Sequence, residues 1–268
     1  MELLSPNRGG SIIGSSHVPA TDKSVVGEVL RELRGHSLAV EHLREWERDY
    51  LEQQFERYER YLEFLEPEAF GVSVLEVGSV PGHFTLLLKR LGYDVRGVDI
   101  DPARMASLWE RHGLEVRRAD VERERLPYDD GSFDVAVFCE ILEHLAVNPL
   151  HALREVHRVL KPGGRLLLSS PQITTLHRLL CLTGKSYLAD PVAEYAKRDW
   201  LGHMGHVRLY ELYEIKRILA HCGYSVRECA RRGEPLYGGG LYHIALRFYP
   251  RRARLRSELY VLARRRPD

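Results

Sequence analysis

The alternation of apolar and polar positions changes character twice along the chain. From about Ser24 to Leu65 it runs at helical spacing. Leu51, Phe55, Tyr58, Leu62 and Leu65 recur at steps of four and three, with Glu and Arg on the opposite side. Pro67 closes this stretch. Such a stripe predicts a face docked on the rest of the protein rather than a dimer seam.

From Val72 the rhythm shortens. Apolar runs (VSVLEVG, DVRGVDI, LEVRRAD, FDVAVFCE, GRLLLSSP) alternate with helical stretches at about Phe84–Leu91 and Pro149–Leu160, the second capped by Asn148. Asp101-Pro102 predicts a further helix with Asp as N-cap and Pro in the first helical position. KPGG, residues 161–164, predicts a helix stop and a tight turn. Strands this apolar, separated by helices, predict a doubly wound α/β sheet, mostly parallel and covered on both faces. Its ligand belongs over the carboxyl ends of the strands. The alternation lapses over residues 172–206. It resumes with a helix at about Glu211–His221, a strand YSVREC, an insert at 233–256 and a last strand SELYVLAR.

The organisation that follows is a mobile arm (1–22), a helical cap (23–67) and one domain (68–268) with inserts at 172–206 and 233–256. Composition adds little: 44% hydrophobic and 29% charged residues, with a net charge of +1, describe an ordinary globular protein and no general polyanion binder. The charge is uneven, however. Arg247 to Arg266 holds eight arginines against Glu258 alone, so the rest of the chain is acidic. The stretch Arg247–Arg256 is therefore a candidate contact for an anionic substrate or a membrane surface. Four cysteines without a CxxC pair read as reduced thiols, and neither a leader nor a spanning segment is visible, which predicts a cytoplasmic protein.

The densest chemistry lies in VLEVGSVPGHF, residues 74–84: a strand, a turn with Gly78 and Gly82, then a helix. Such a turn permits close backbone approach and is expected to present N–H groups to a ligand. Asp99, at the end of the second strand, suits a pair of ribose hydroxyls. A dinucleotide site would want glycines where Val80 and His83 stand, and Glu76 would repel a pyrophosphate. The ligand is then a cationic, ribose-bearing one.

Taken in order, LEVGSVPG, GVDIDP, the Asp120-Val121 pair, CEILEHL and the LKPGG turn resemble class I S-adenosylmethionine-dependent methyltransferases. The resemblance covers about Val72–Ser170 and implies a seven-stranded Rossmann-like sheet. It implies S-adenosylmethionine as cofactor and S-adenosylhomocysteine as product. By it, Glu76, Gly78, Ser79 and Gly82 hold the methionine end. Asp99 takes the ribose, Ile100 and Val121 flank the adenine, Asp120 accepts from the adenine amino group, and Cys139 lines the reacting face. Val80 departs from the usual glycine.

Methyl transfer needs an acceptor held in line and, for a hydroxyl of high pKa, a base. His206 and His203 are the preferred bases, with Glu140 and His144 as further candidates. Glu140, Glu143 and His144 are expected on one helical face. With His206 they resemble the metal set of small-RNA 2′-O-methyltransferases, and ExxEH also occurs in ubiquinone-pathway O-methyltransferases. The apolar Ile141, Leu142 and Leu145 and the distance to His206 favour a site without metal. The leading expectation is O-methylation of a small-molecule, glycan or nucleotide-sugar hydroxyl. The alternatives are a metal-dependent RNA 2′-O-methyltransferase and a non-catalytic scaffold. Nucleic acid is disfavoured because no aromatic and basic platform is visible; a homodimer is a further option.

Overall fold

The computed structural model describes residues 27–29, 31–32, 54, 56–65, 71–172, 191–201, 205–232 and 258–267. Residues 1–22, most of 172–206 with Cys181 and His203, and the insert 233–256 with Arg247–Arg256 lie outside these, so the expectations placed on them are not addressed.

Seven strands form one sheet: β1 (Ser73–Val77), β2 (Asp94–Asp99), β3 (Glu115–Arg118), β4 (Phe133–Cys139), β5 (Leu160–Pro171), β6 (Tyr224–Arg232) and β7 (Glu258–Arg265). Their order is β3-β2-β1-β4-β5-β7-β6. The first five pair in parallel, whereas β7 runs antiparallel to both β5 and β6. The helices are α1 (His83–Arg90), α2 (Ala106–His112), α3 (Pro149–Val159), α4 (Pro191–Leu201) and α5 (Leu212–His221).

Successive side chains of a strand point to opposite faces, which explains the near-continuous apolar runs. In β4, Val135 and Val137 join one core while Ala136 and Phe138 join the other; in β5, Leu167 faces the first and Leu166 and Leu168 the second. The second core is filled by Leu153 and Val156 of α3 with Ile215 and Leu219 of α5. The first contains Leu86–Leu88 of α1, Leu108 of α2, and Tyr58, Tyr61, Leu62 and Phe64 from a helix over residues 56–64. Of the predicted stripe, Tyr58, Leu62 and Leu65 are docked here with this covering helix, while Leu51 and Phe55 lie outside the described residues. Tyr58 and Tyr61 pack on Phe84, each at 5.3 Å between ring centroids. Phe64 stacks on Tyr260 at 5.8 Å.

Local chemistry sets most element ends. Asn148 accepts from the His151 amide at 3.0 Å, with Pro149 opening α3, a cap worth about 1 kcal/mol. Glu211 and Glu214 form a capping box on α5. Two expectations are met only in part. Asp101 stands at the N-cap position with Pro102 in the first turn, as expected, but makes no side-chain cap, and a 3-10 turn (Pro102–Met105) precedes α2. KPGG does not end the helix in a free turn: α3 stops at Val159 and residues 161–164 bulge within β5, where the pairing jumps from Leu160 to Arg165. Gly163, at φ +76, absorbs that bend.

Among the described residues no helix is long and apolar enough to cross a membrane, and Cys139, Cys222 and Cys229 are free thiols.

Candidate active site

The carboxyl ends of β1, β2 and β4 open into a cleft of about 540 Å³. Its lining falls into two halves, one built from the motifs and one from residues far apart in sequence.

In the first half, the turn after β1 brings Gly78 (φ +77) and Gly82 (φ +92) into left-handed backbone. A Cβ at Gly78 would lie 2.2 Å from Ile141 Cδ1, and one at Gly82 would lie 2.4 Å from Leu108 Cδ2. Only glycine fits both positions. The expected row of free N–H groups is absent. Gly78 and Ser79 donate to the Val98 carbonyl, Gly82 to that of Ser79, and Val80 to Asp99 Oδ2 at 2.9 Å. Of the turn's own amides, those of Gly78, Ser79 and Val80 brace it to β2 and that of Gly82 closes it on Ser79. Val80 keeps a negative φ, because Glu140 is the only non-glycine with positive φ among the described residues. Valine is thus accommodated without left-handed strain.

Asp99 is buried at the end of β2 and also accepts from the Asp101 amide at 2.9 Å. A carboxylate has about four acceptor sites, which leaves capacity for ribose hydroxyls. Ile100 is half exposed beside it, and Asp120 and Val121 line the same wall. Asp120 already receives the Glu122 amide at 3.0 Å and Arg123 Nη1 at 2.7 Å. Glu122, which the motifs did not single out, takes the amides of Ala146, Val147 and Asn148 on its carboxylate. It ties the wall formed by Asp120 and Val121 to the loop that follows Glu143 and His144. Glu76 is buried and accepts from Thr85 Oγ1. Burial, with Asp99 nearby, pushes its pKa up to about 8.

In the second half, one expectation is corrected. Glu140 does not share a helical face with Glu143 and His144. It stands in left-handed backbone (φ 56) directly after β4, and the following 3-10 turn spans only Leu142–His144. This reversal turns the Glu140 carboxylate toward the covering helix. There it accepts from Ser169 Oγ at 2.8 Å and meets Arg57 Nη1 at 3.3 Å. Arg57, which sequence reasoning missed, also bonds Gln54 and Glu258, both at 2.9 Å. Its neighbour in sequence gave no signal, since Arg57 looks like any polar-face residue until Glu140 and Glu258 are placed against it. Burial raises the pKa of Glu140 despite Arg57, and that of Cys139, a poor nucleophile beside it, rises for the same reason.

Glu143, His144 and His206 do converge. Their ligand atoms all lie within 4.8 Å of one another, and the His144 and His206 rings are 5.0 Å apart. His206 is carried there because the Glu143 carbonyl accepts the Val207 amide at 2.7 Å, while Glu194 Oε2 of α4 takes the His206 amide at 2.9 Å. Glu143 is fully buried; Ser170 donates to its Oε2, but Oε1 has no hydrogen-bond partner among the described residues. Burial pushes its pKa well up, with Glu140 adding to the effect. Burial, then His144, lowers the pKa of His206 to about 4. His206 is thus a neutral imidazole at pH 7 and a weak base for a hydroxyl. Lys197 Nζ, paired with Glu194 at 2.6 Å, closes this end of the cleft.

The sequence profile of a methyltransferase domain family matches residues 75–168. The ubiquinone biosynthesis O-methyltransferase of Xanthomonas campestris pv. campestris (strain B100) is 35% identical over 124 residues, covering 44% of this chain and 51% of that protein. The chain thus spans about half the length of the curated relatives it matches. Among solved structures, an S-adenosylmethionine-dependent methyltransferase from Archaeoglobus fulgidus superposes with a TM-score of 0.54 at 18% identity, over 78% of this chain and 91% of that one. The cyclase SpnF superposes equally well, with a TM-score of 0.54 at 18% identity over 91% and 93%. At such identities the likeness speaks for the fold, and one fold hosts more than one chemistry. Profile and strand order agree: residues 75–168 match a methyltransferase domain, and the sheet has the fold of solved methyltransferases.

Proposed function

We infer that the protein is an S-adenosylmethionine-dependent O-methyltransferase acting on a hydroxyl of a small molecule, glycan or nucleotide sugar. The observation that carries this reading is the continuity of the cleft. It runs from Asp99, Ile100, Asp120 and Val121 past Gly78 to Glu140, Glu143, His144 and His206. A nucleoside-bearing cofactor fits the first end, where two carboxylates keep acceptor capacity and Ile100 presents an apolar flank. The cofactor supplies an already activated methyl group, so the chain must align an acceptor and exclude water. Glu143 and the neutral His206 offer hydrogen bonds to an acceptor hydroxyl, and Arg57 and Lys197 bound that end with positive charge. The covering helix and the two inserts would choose the acceptor, in a cytoplasmic protein whose thiols stay reduced. Titration with S-adenosylmethionine and S-adenosylhomocysteine tests the reading first, since a scaffold should bind neither. An acceptor screen on the confirmed binder then separates phenols from sugars.

A second reading has its own observation. Glu143 Oε1, which accepts no hydrogen bond among the described residues and has His144 Nε2 at 3.9 Å, and two imidazoles within 4.8 Å form a donor set that fits a divalent cation. Under it, the ion would orient a hydroxyl pair such as that of an RNA terminus. Glu140 stays outside that set, because Arg57 and Ser169 hold it.

A further inference from the structure

The burial of α4 is inverted. A helix laid on a protein usually turns its apolar side chains inward, but Val192, Ala193, Tyr195 and Ala196 of α4 are exposed, whereas Glu194 and Lys197 are partly buried. Among the described side chains, none of α4 joins either apolar core. What α4 holds is the segment that carries His206. The Glu194 carbonyl takes the Gly205 amide at 3.2 Å. Its carboxylate takes the His206 amide at 2.9 Å and Lys197 Nζ at 2.6 Å.

Gly205 makes this contact possible. A Cβ there would lie 1.6 Å from Glu194 Oε2 and 2.7 Å from its carboxyl carbon. Gly205 is not among the glycines in left-handed backbone, so the residue is needed for room and not for an unusual backbone angle. A peptide unit is planar, so a bond on its N–H orients the whole unit. The unit before the His206 Cα is held through the His206 amide on Glu194. The unit after it is held through the Val207 amide on the Glu143 carbonyl at 2.7 Å. With both units held, the direction in which the imidazole leaves the backbone is set, and its ring stands 5.0 Å from that of His144. The Glu143 carbonyl takes the amides of Val207 and Arg208, both after His206, and leaves the first unit to Glu194. Glu194 lines neither the cleft nor the smaller pocket beside Glu76, whereas Gly205 and His206 line the cleft.

We propose that Glu194 is a positioning residue for the acceptor end: by holding the His206 amide, in the room that Gly205 leaves, it aims the imidazole into the cleft beside His144. Its bearing on methyl transfer rests on the reading above, in which His206 hydrogen-bonds an acceptor hydroxyl; the placement itself does not. Nuclear Overhauser spectra of the full chain, labelled at the histidine ring carbons, test the placement. The His206 ring signals are assigned by their absence from His206→Gln. Wild type should show a cross-peak between the His144 and His206 rings. Glu194→Ala should lose it, and Glu194→Gln should keep it, because a side-chain carbonyl still accepts from the amide. Gly205→Ala crowds the carboxylate off the amide from the opposite side and should lose the cross-peak too. It decides the matter alone if Glu194→Ala does not fold. Calorimetry should find S-adenosylhomocysteine affinity within about twofold of wild type in both Glu194 variants, as for a site remote from the cofactor end. A cross-peak that survives Glu194→Ala or Gly205→Ala, or that is lost in Glu194→Gln as well, overturns the proposal. So does a loss of affinity in step with the cross-peak, which would mark a general disturbance of the fold. Failure of wild type to bind S-adenosylhomocysteine overturns the cofactor reading instead, and the cross-peaks still decide the placement.

Discussion

The two halves of the cleft are built on different principles. The half at the ends of β1 and β2 is made by backbone: left-handed glycines, amides spent on the Val98 carbonyl, and Asp99 bracing Val80 and Asp101. Its residues lie within a few dozen positions of one another. The half at the ends of β4, β5 and β7 is made by buried charge. Arg57, Glu140, Ser169 and Glu258 meet from four separate stretches of chain, and Glu143 and His206 meet across sixty residues of sequence. A backbone-built site keeps its shape when a surface side chain changes. A charge-built one depends on every partner, because an ion left alone in a buried place is costly. The difference says where change is tolerated: the half at β4, β5 and β7 can be rewired one pair at a time, while the half at β1 and β2 has to keep its turn.

The largest effect expected from this contrast is on stability. Arg57→Ala leaves Glu140 and Glu258 without their shared cation, and should cost on the order of 3–5 kcal/mol in denaturant unfolding. Arg123→Ala, which unpairs the exposed edge of Asp120, should unfold close to the wild-type denaturant midpoint. Equal losses for the two variants would break the comparison.

Next in size is cofactor affinity. If Asp99 holds the ribose as proposed, Asp99→Ala removes that partner together with the brace on Val80, and should weaken S-adenosylmethionine binding by about 1–3 kcal/mol. Asp120→Ala should weaken it less, as Arg123 and the Glu122 amide already use part of that carboxylate. Calorimetry that finds both variants binding like wild type removes the site assignment.

These two halves also differed in how far the sequence exposed them. Gly78, Gly82 and Asp99 could be read because a turn and a strand end dictate their residue types locally; the glycines stand in left-handed backbone after β1 and Asp99 ends β2. The strand alternation of β4 and β5 was equally plain, since a sheet buried on both faces admits little else. Arg57 and Glu258 carried no such mark. Each is one charged residue among many, and their meeting depends on a helix docking and on the return of β7. Glu140 was misread for a subtler reason. ExxEH spacing looks helical, but the left-handed backbone after β4 turns Glu140 away from Glu143. His206 could be named, yet not placed, until Glu194 and the Glu143 carbonyl fixed its segment.

A smaller, pH-dependent effect sharpens the contrast within the cofactor half. The pKa of Glu76 is raised in the fold, so the folded chain holds a proton that the unfolded chain has lost between about pH 4.5 and 8. Its contribution is fully present below the unfolded value and is lost as pH rises through about 8. Glu76→Gln should therefore match wild type near the acid end of that window and gain on it as pH rises. S-adenosylmethionine, with a cationic amino-acid end, should bind wild type more tightly toward pH 8 and displace a proton; Glu76→Gln should lose that displacement. Proton release measured in buffers of different ionisation enthalpy checks it, and an unchanged release in Glu76→Gln contradicts the placement of Glu76.

The smallest effect expected is that of a chelator, and its size decides between the two readings of the acceptor half. Glu143, His144 and His206 stand close enough to share an ion, but the charge available to hold one is slight. Burial keeps Glu143 toward its neutral form, and Ser170 already donates to Oε2. Glu140, which would bring a second carboxylate, is drawn off by Arg57 and Ser169. Mg²⁺ favours oxygen ligands and keeps several waters, whereas this pocket offers two imidazoles and one carboxyl in an apolar surround of Ile141, Leu142 and Leu145. Methyl transfer to the acceptor that the screen identifies should therefore survive EDTA, within about twofold of the untreated rate. Glu143→Gln, which keeps the shape and hydrogen bonding of a neutral carboxyl, should then retain most of the rate. Loss of transfer in EDTA, restored by Mg²⁺ or Mn²⁺ and absent from Glu143→Gln, would give the acceptor half to the ion and bring the RNA 2′-hydroxyl forward as its acceptor.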